Sequence, residues 1–150
     1  MLVRIWGTRG SLPTPMWNDQ IRIKARAIAK AASGQTFADD AAVETFLDAQ
    51  PYWMANTYGG DTSCLEVELA GEEHLLCDFG SGARRLGGAM IGKHGPGNGQ
   101  TYHVLMSHLH WDHLMGFPFF TPAFIPGNRI VIYSCHDDAE ASFRRQNQAP

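Results

Sequence analysis

No stretch of this 150-residue chain stays apolar for the roughly 18 residues that a membrane-spanning helix needs. Met1 runs straight into the strand-like "LVRIWG", without the basic lead and apolar core of an export signal, so a cytoplasmic protein is expected. Positive charge is not in excess either. Twelve Lys+Arg stand against 15 Asp+Glu, a formal net charge of −3, which removes the electrostatic basis for bulk nucleic-acid binding. Cysteine is scarce: Cys64, Cys77 and Cys135 are odd in number and far apart, with no CxxC. That spacing fits reduced, partly buried structural thiols better than a disulfide framework or a CxxC zinc site. Internal repeats and low-complexity segments are lacking, and the length suits one domain.

What is present divides into three stretches. "VRIWG" (3–7) reads as a strand, closed by the turn-rich "TRGSLPTP". "IRIKARAIAKAA" (21–32) places Ile21, Ala25, Ile28 and Ala32 at helical spacing, and "DDAAVETFLDAQ" follows with Asp39 as N-cap and Pro51 beyond its end, which predicts a helical hairpin over 17–52. The character then changes. Residues 62–79 read as a β-hairpin turning at "AGEE", "GSGARRLGGAMIG" as a helix behind a glycine-rich turn, and "TYHVLM" (101–106) as a strand. "RIVIY" (129–133) is a further strand, and "DDAEASFRRQNQ", acidic early and basic late, a final helix.

The strand at 101–106 delivers the chain into "SHLHWDHLMGFPFF", where His108, His110, Asp112 and His113 fall within six positions. Extended spacing puts His108 and His110 on one side of the backbone, able to share an ion. A turn at Trp111 sends Asp112 and His113 elsewhere, toward a second ion. Imidazole and carboxylate donors without a nearby thiolate suit Zn²⁺, with Mn²⁺ or Fe²⁺ as alternatives. His74, His94, His103 and His136 each stand alone and are expected in surface or core roles.

The run His108, His110, Asp112, His113 resembles the HxHxDH signature of the metallo-β-lactamase fold. "CDFGSG" resembles the Asp-x-Gly turn that precedes this signature in the family. "GGDTSCLEV", "WGTRGSLPTP" and "HWDHLMGFPFF" are similar to its phosphodiesterase branch, which includes tRNA 3′-processing endonucleases and cyclic-nucleotide phosphodiesterases. The resemblance implies an α/β fold: residues 1–150 as the N-terminal half of one αββα sandwich, with the 17–52 hairpin as an insertion. It implies His108 and His110 as ligands to a first metal and Asp112 and His113 to a second, the latter pair also carrying catalysis. Asp78 would accept a hydrogen bond from the far nitrogen of a ligand histidine, or alternatively cap the helix that follows it. Two ions about 3.5–4 Å apart would then supply a hydroxide near neutral pH and hold the phosphoryl oxygens.

The implied site needs a third histidine, a bridging aspartate and a last histidine from a second half of the sandwich. Beyond His113 the only histidine is His136, beside Asp137 and Asp138, which reads better as a strand-end cap. The expected partners are therefore a small phosphodiester substrate and either a second copy of the chain or a complementing C-terminal half, with no membrane. Phe117, Phe119, Phe120 and Phe124 are expected to pack beneath their proline-rich loop, with a base-stacking wall as the alternative. Arg84 and Arg85 read as solvated surface, with a phosphate contact beside the helix N-terminus as the alternative, and the basic Arg22, Lys24, Arg26 and Lys30 fit a solvated helix face as well as a lid or dimer contact. The expected activity is hydrolysis of a cyclic nucleotide or similar small phosphodiester; the alternatives are a lactone or thioester hydrolase of the same fold, and a non-catalytic half-domain that binds metal or a partner.

Overall fold

The structure is a computed structural model that describes residues 2–68, 73–96 and 99–146. The turn expected at "AGEE" falls largely outside these residues, as do two positions of the glycine-rich loop and the end of the last helix. The chain divides into two compact units, one formed by 1–14 with 60–150 and the other by 15–59.

The second unit holds three helices: α1 (Asn18–Ala31), α2 (Asp40–Asp48) and the short α3 (Tyr52–Ala55). Two side chains set the first helix starts. Gln20 Oε1 accepts from the Trp17 amide at 3.0 Å, and Asp39 accepts from the Ala42 amide at 2.8 Å, satisfying donors that a helix start leaves open. Lys24 is not merely solvated: its ammonium donates to the carbonyls of Trp53 and Asn56, tying α1 to the α3 turn. The third helix starts just after Pro51, where the sequence had marked only an end.

The first unit is α/β. Strands β1 (Leu2–Gly7), β2 (Cys64–Glu68), β3 (Glu73–Cys77), β4 (Thr101–Met106) and β5 (Arg129–Ser134) form one mixed sheet in chain order. The first three pair antiparallel and the last three parallel, with α4 (Ala83–His94) as the crossover from β3 to β4. A one-turn helix α5 (Trp111–Leu114) and two 3-10 turns lead into β5, and α6 (Ala139–Gln146) follows it.

Register fixes which side chains share a face, because directly paired residues project the same way. On one face Cys64, Leu76, Tyr102, Val104 and Met106 are buried, closed over by Ala83, Leu86 and Met90 of α4, by Phe120, and by Phe143 of α6. Burial drives the Cys64 thiol far above its ordinary range, so it packs as a neutral hydrophobe, and pushes the Tyr102 hydroxyl up to about 12. Glu66 is also buried here, with Trp6 Nε1 donating to its Oε2 at 3.1 Å and the Arg4 guanidinium 3.9 Å away.

The opposite face is equally apolar but open. Val3, Ile5, Leu105 and Tyr133 remain 49%, 57%, 43% and 46% exposed, and the Val67 and Leu75 beside them are only half-buried. An apolar sheet face ordinarily packs against a second layer. The two faces therefore predict different costs for the same truncation. Leu76→Ala should lower stability by about 2–5 kcal/mol, whereas Leu105→Ala should stay within about 1 kcal/mol; urea unfolding of both variants measures the contrast.

Candidate metal centre

The site is assembled at the end of β3 and β4, where parallel strands release their chains side by side. Leaving β3, Asp78 adopts a left-handed backbone conformation (φ 63°), which an aspartate tolerates better than most residues, and its buried carboxylate turns toward the end of β4. It accepts from the Ser107 amide (2.8 Å), the Ser107 hydroxyl (2.8 and 3.0 Å to its two oxygens), the Ser63 hydroxyl (3.1 Å) and His113 Nδ1 (2.8 Å). A carboxylate offers about four lone-pair sites, so Asp78 is saturated. It does not cap α4, whose N-cap position is Gly82 with no side-chain cap.

The turn carrying Asp78 is gripped from the other side by the "GGDTSC" segment. Ser81 N donates to Thr62 Oγ1 (2.8 Å) and Thr62 N to Ser81 Oγ (3.0 Å), while Ser81 Oγ donates to Asp61 (2.7 Å). Asp61 in turn accepts at its carbonyl from the amides of Thr8 and Arg9, which brings in the loop after β1. That loop reaches the site itself: Ser11, also left-handed (φ 66°), donates its amide to Asp112 Oδ2 at 2.8 Å.

His108, His110, Asp112 and His113 are brought together, with a third contact beside the two pairs that the spacing predicts. The His108 and His110 rings lie edge to face with centroids 4.7 Å apart, but His113 comes closer to His108, at 3.9 Å. The cause is the helical turn α5 starting at Trp111. It carries His113 back over the end of β4, where Asp78 holds its Nδ1. Since a carboxylate can only accept, Nδ1 bears a proton, and in the neutral ring Nε2 then carries the lone pair. This Nε2 faces Asp112 Oδ2 at 3.4 Å. Burial raises the Asp112 carboxyl, but the Ser11 amide, its own amide and the imidazoles of His113 and His108 outweigh it, leaving the group below the ordinary carboxylate range.

The remaining candidates pack elsewhere in the core or face solvent. Phe117 and Phe120 are packed around Phe79 with centroids 5.3 Å away, while Phe119 and Phe124 are exposed. Arg84 and Arg85 are exposed on α4, and His136 is exposed after β5, its amide on Ser134 Oγ. His74 is buried against Gln100, and Cys135 is exposed rather than half-buried. Sequence reasoning missed Ser107, Ser63 and Ser11. The adjacency of Ser107 to His108 was a usable signal; Ser63 and Ser11 are paired only through the fold.

The donor types fit a divalent ion such as zinc, which takes imidazole nitrogen and carboxylate oxygen. A histidine whose far nitrogen is held by a carboxylate is also the usual setting of a metal-ligating imidazole. Among the described residues, however, no three His, Cys, Asp or Glu side chains already converge on one point where an ion could sit. No protein-family model, curated protein or solved structure matches this chain.

Proposed function

We propose that this chain is the N-terminal half of a metal-dependent hydrolase of the metallo-β-lactamase type, acting on a cyclic nucleotide or similar small phosphodiester. The observation that carries the reading is the contact between His113 Nε2 and Asp112 Oδ2, 3.4 Å apart. With Nδ1–H committed to Asp78, the Nε2 of the neutral ring and Asp112 Oδ2 are two acceptors facing each other, a contact that a bound cation would bridge as a proton on Nε2 otherwise does. His108, His110, Asp112 and His113 would hold such ions. Once bound, they supply Lewis acidity for a phosphoryl oxygen and bring water ionisation toward neutral pH.

The chain's own residues do the positioning. Asp78 keeps the proton on His113 Nδ1, and the Ser11 amide turns Asp112 toward His113. The open sheet face supports a second layer, from a second copy or a complementing C-terminal half, as the source of the remaining ligands. The helical unit at 15–59 is read as an insertion between β1 and β2.

The test is hydrolysis of bis(p-nitrophenyl) phosphate by the purified chain with added Zn²⁺ or Mn²⁺, alongside metal content by elemental mass spectrometry. Turnover abolished by chelator is expected. His110→Ala should lose metal, and activity should fall by at least the roughly 10–100-fold that loss of an outer-sphere partner costs. Full activity in His110→Ala would overturn the ligand assignment, and turnover of a lactone or thioester in place of the diester would overturn the substrate class.

A further inference from the structure

A single hydroxyl lies between Asp78 and two imidazoles. Ser107 Oγ is 2.8 and 3.0 Å from the two Asp78 oxygens, 3.1 Å from His108 Nδ1 and 3.3 Å from His113 Nδ1. A serine hydroxyl has one proton and two lone pairs, whereas a carboxylate has no proton to give. The Ser107 proton is therefore directed to Asp78. Its contact with His108 can then use only an oxygen lone pair, which requires the proton on His108 Nδ1.

We infer that Ser107 is a positioning residue: with Asp78 it fixes His108 and His113 in the same Nδ1–H tautomer, so that both present an Nε2 lone pair. Asp78 acts on His113 directly at 2.8 Å and on His108 through the serine. One buried carboxylate thus sets two candidate ligands from different ends of the loop. The backbone makes the arrangement rigid, because the Ser107 amide is itself bound to Asp78 Oδ1 at 2.8 Å and the hydroxyl cannot drift from the carboxylate. The use of these lone pairs for a cation rests on the hydrolase reading above; the tautomers do not.

The test is nitrogen-15 NMR of the imidazole rings in the metal-free chain at about pH 8, above the ordinary histidine pKa of about 6.5. Long-range couplings from the ring carbon protons report which nitrogen carries the proton. The wild type should show Nδ1–H at both His108 and His113. Ser107→Ala should release His108 from that tautomer while His113 keeps it, and Ser107→Thr, which retains the hydroxyl, should restore the wild-type pattern. Zn²⁺ affinity by calorimetry should fall about 10–100-fold in Ser107→Ala and recover in Ser107→Thr. An Nε2–H signal at His108 in the wild type would overturn the inference even if Ser107→Ala failed to fold, as would a Ser107→Ala spectrum with His108 unchanged. If the tautomers are as stated and Zn²⁺ does not bind, the hydrolase reading fails and the positioning role of Ser107 stands.

Discussion

Alanine at position 78 should lower the unfolding free energy by about 3–5 kcal/mol, the range for removing one partner from a buried charged contact. Three side chains and one backbone amide donate to Asp78, and its carboxylate is almost entirely withdrawn from water. Truncation strands these donors in a space too polar to collapse around a methyl group, and each unsatisfied buried donor costs about 1–3 kcal/mol. Alanine is also strained at φ 63°. Asparagine separates the two causes, because it tolerates the left-handed conformation and keeps one acceptor oxygen. The serine hydroxyls can reverse to accept from its amide. Asp78→Asn should accordingly cost no more than about 2 kcal/mol, yet it leaves His113 Nδ1 without a charged acceptor. Urea titration of both variants, with slopes compared to confirm two-state unfolding, gives the stability terms. A loss below about 1 kcal/mol in Asp78→Ala would show that the carboxylate is not the hub of the site.

This hub shows which features could be read along the chain and which could not. The strand at 101–106 and the Asp39 cap follow from alternation and from local side-chain chemistry, and the structure has both. Residues sharing one short stretch were also readable as a cluster, since any fold keeps His108 to His113 close. How close His113 comes to His108 was not: the turn expected at Trp111 is there as α5, but a carboxylate 35 positions earlier draws His113 back toward His108. Period two in "CLEVE" likewise separates two faces without saying which is covered. Glu66 lies on the helix-covered side because Trp6 and Arg4, 60 or more positions away, accommodate it, while Leu65 and Val67 lie on the open one. Such choices are made by partners remote in sequence, so local pattern carries no trace of them.

The same remoteness makes a glycine just beyond the histidine run the most sensitive point of the loop. Gly116→Ala should destabilise the chain by about 3 kcal/mol or more, at or above the upper end of overpacking costs. The reason is not conformational, since Gly116 has φ −83° and ψ −15°, dihedrals that alanine adopts freely. It is distance: a Cβ there would stand 1.9 Å from the Gly80 carbonyl oxygen and 2.9 Å from that of Phe79. Both obstacles are backbone, so no side-chain rotation relieves them. The Asp78–Gly80 turn and the 113–116 segment must separate, breaking the bonds from Gly116 N to Phe79 O and from Phe79 N to His113 O, each 2.8 Å. These bonds hold His113 against Asp78, so the variant should also lose the His113 Nδ1–H tautomer. Gly88→Ala is the control. Gly88 lies within α4 with nothing near the position of an added Cβ, and the same substitution there should stabilise by about 0.4–1 kcal/mol through the helix and the unfolded chain. Opposite signs for one chemical change, measured by thermal and urea unfolding, would place the constraint in the contact between the two loops; equal signs would remove it from there.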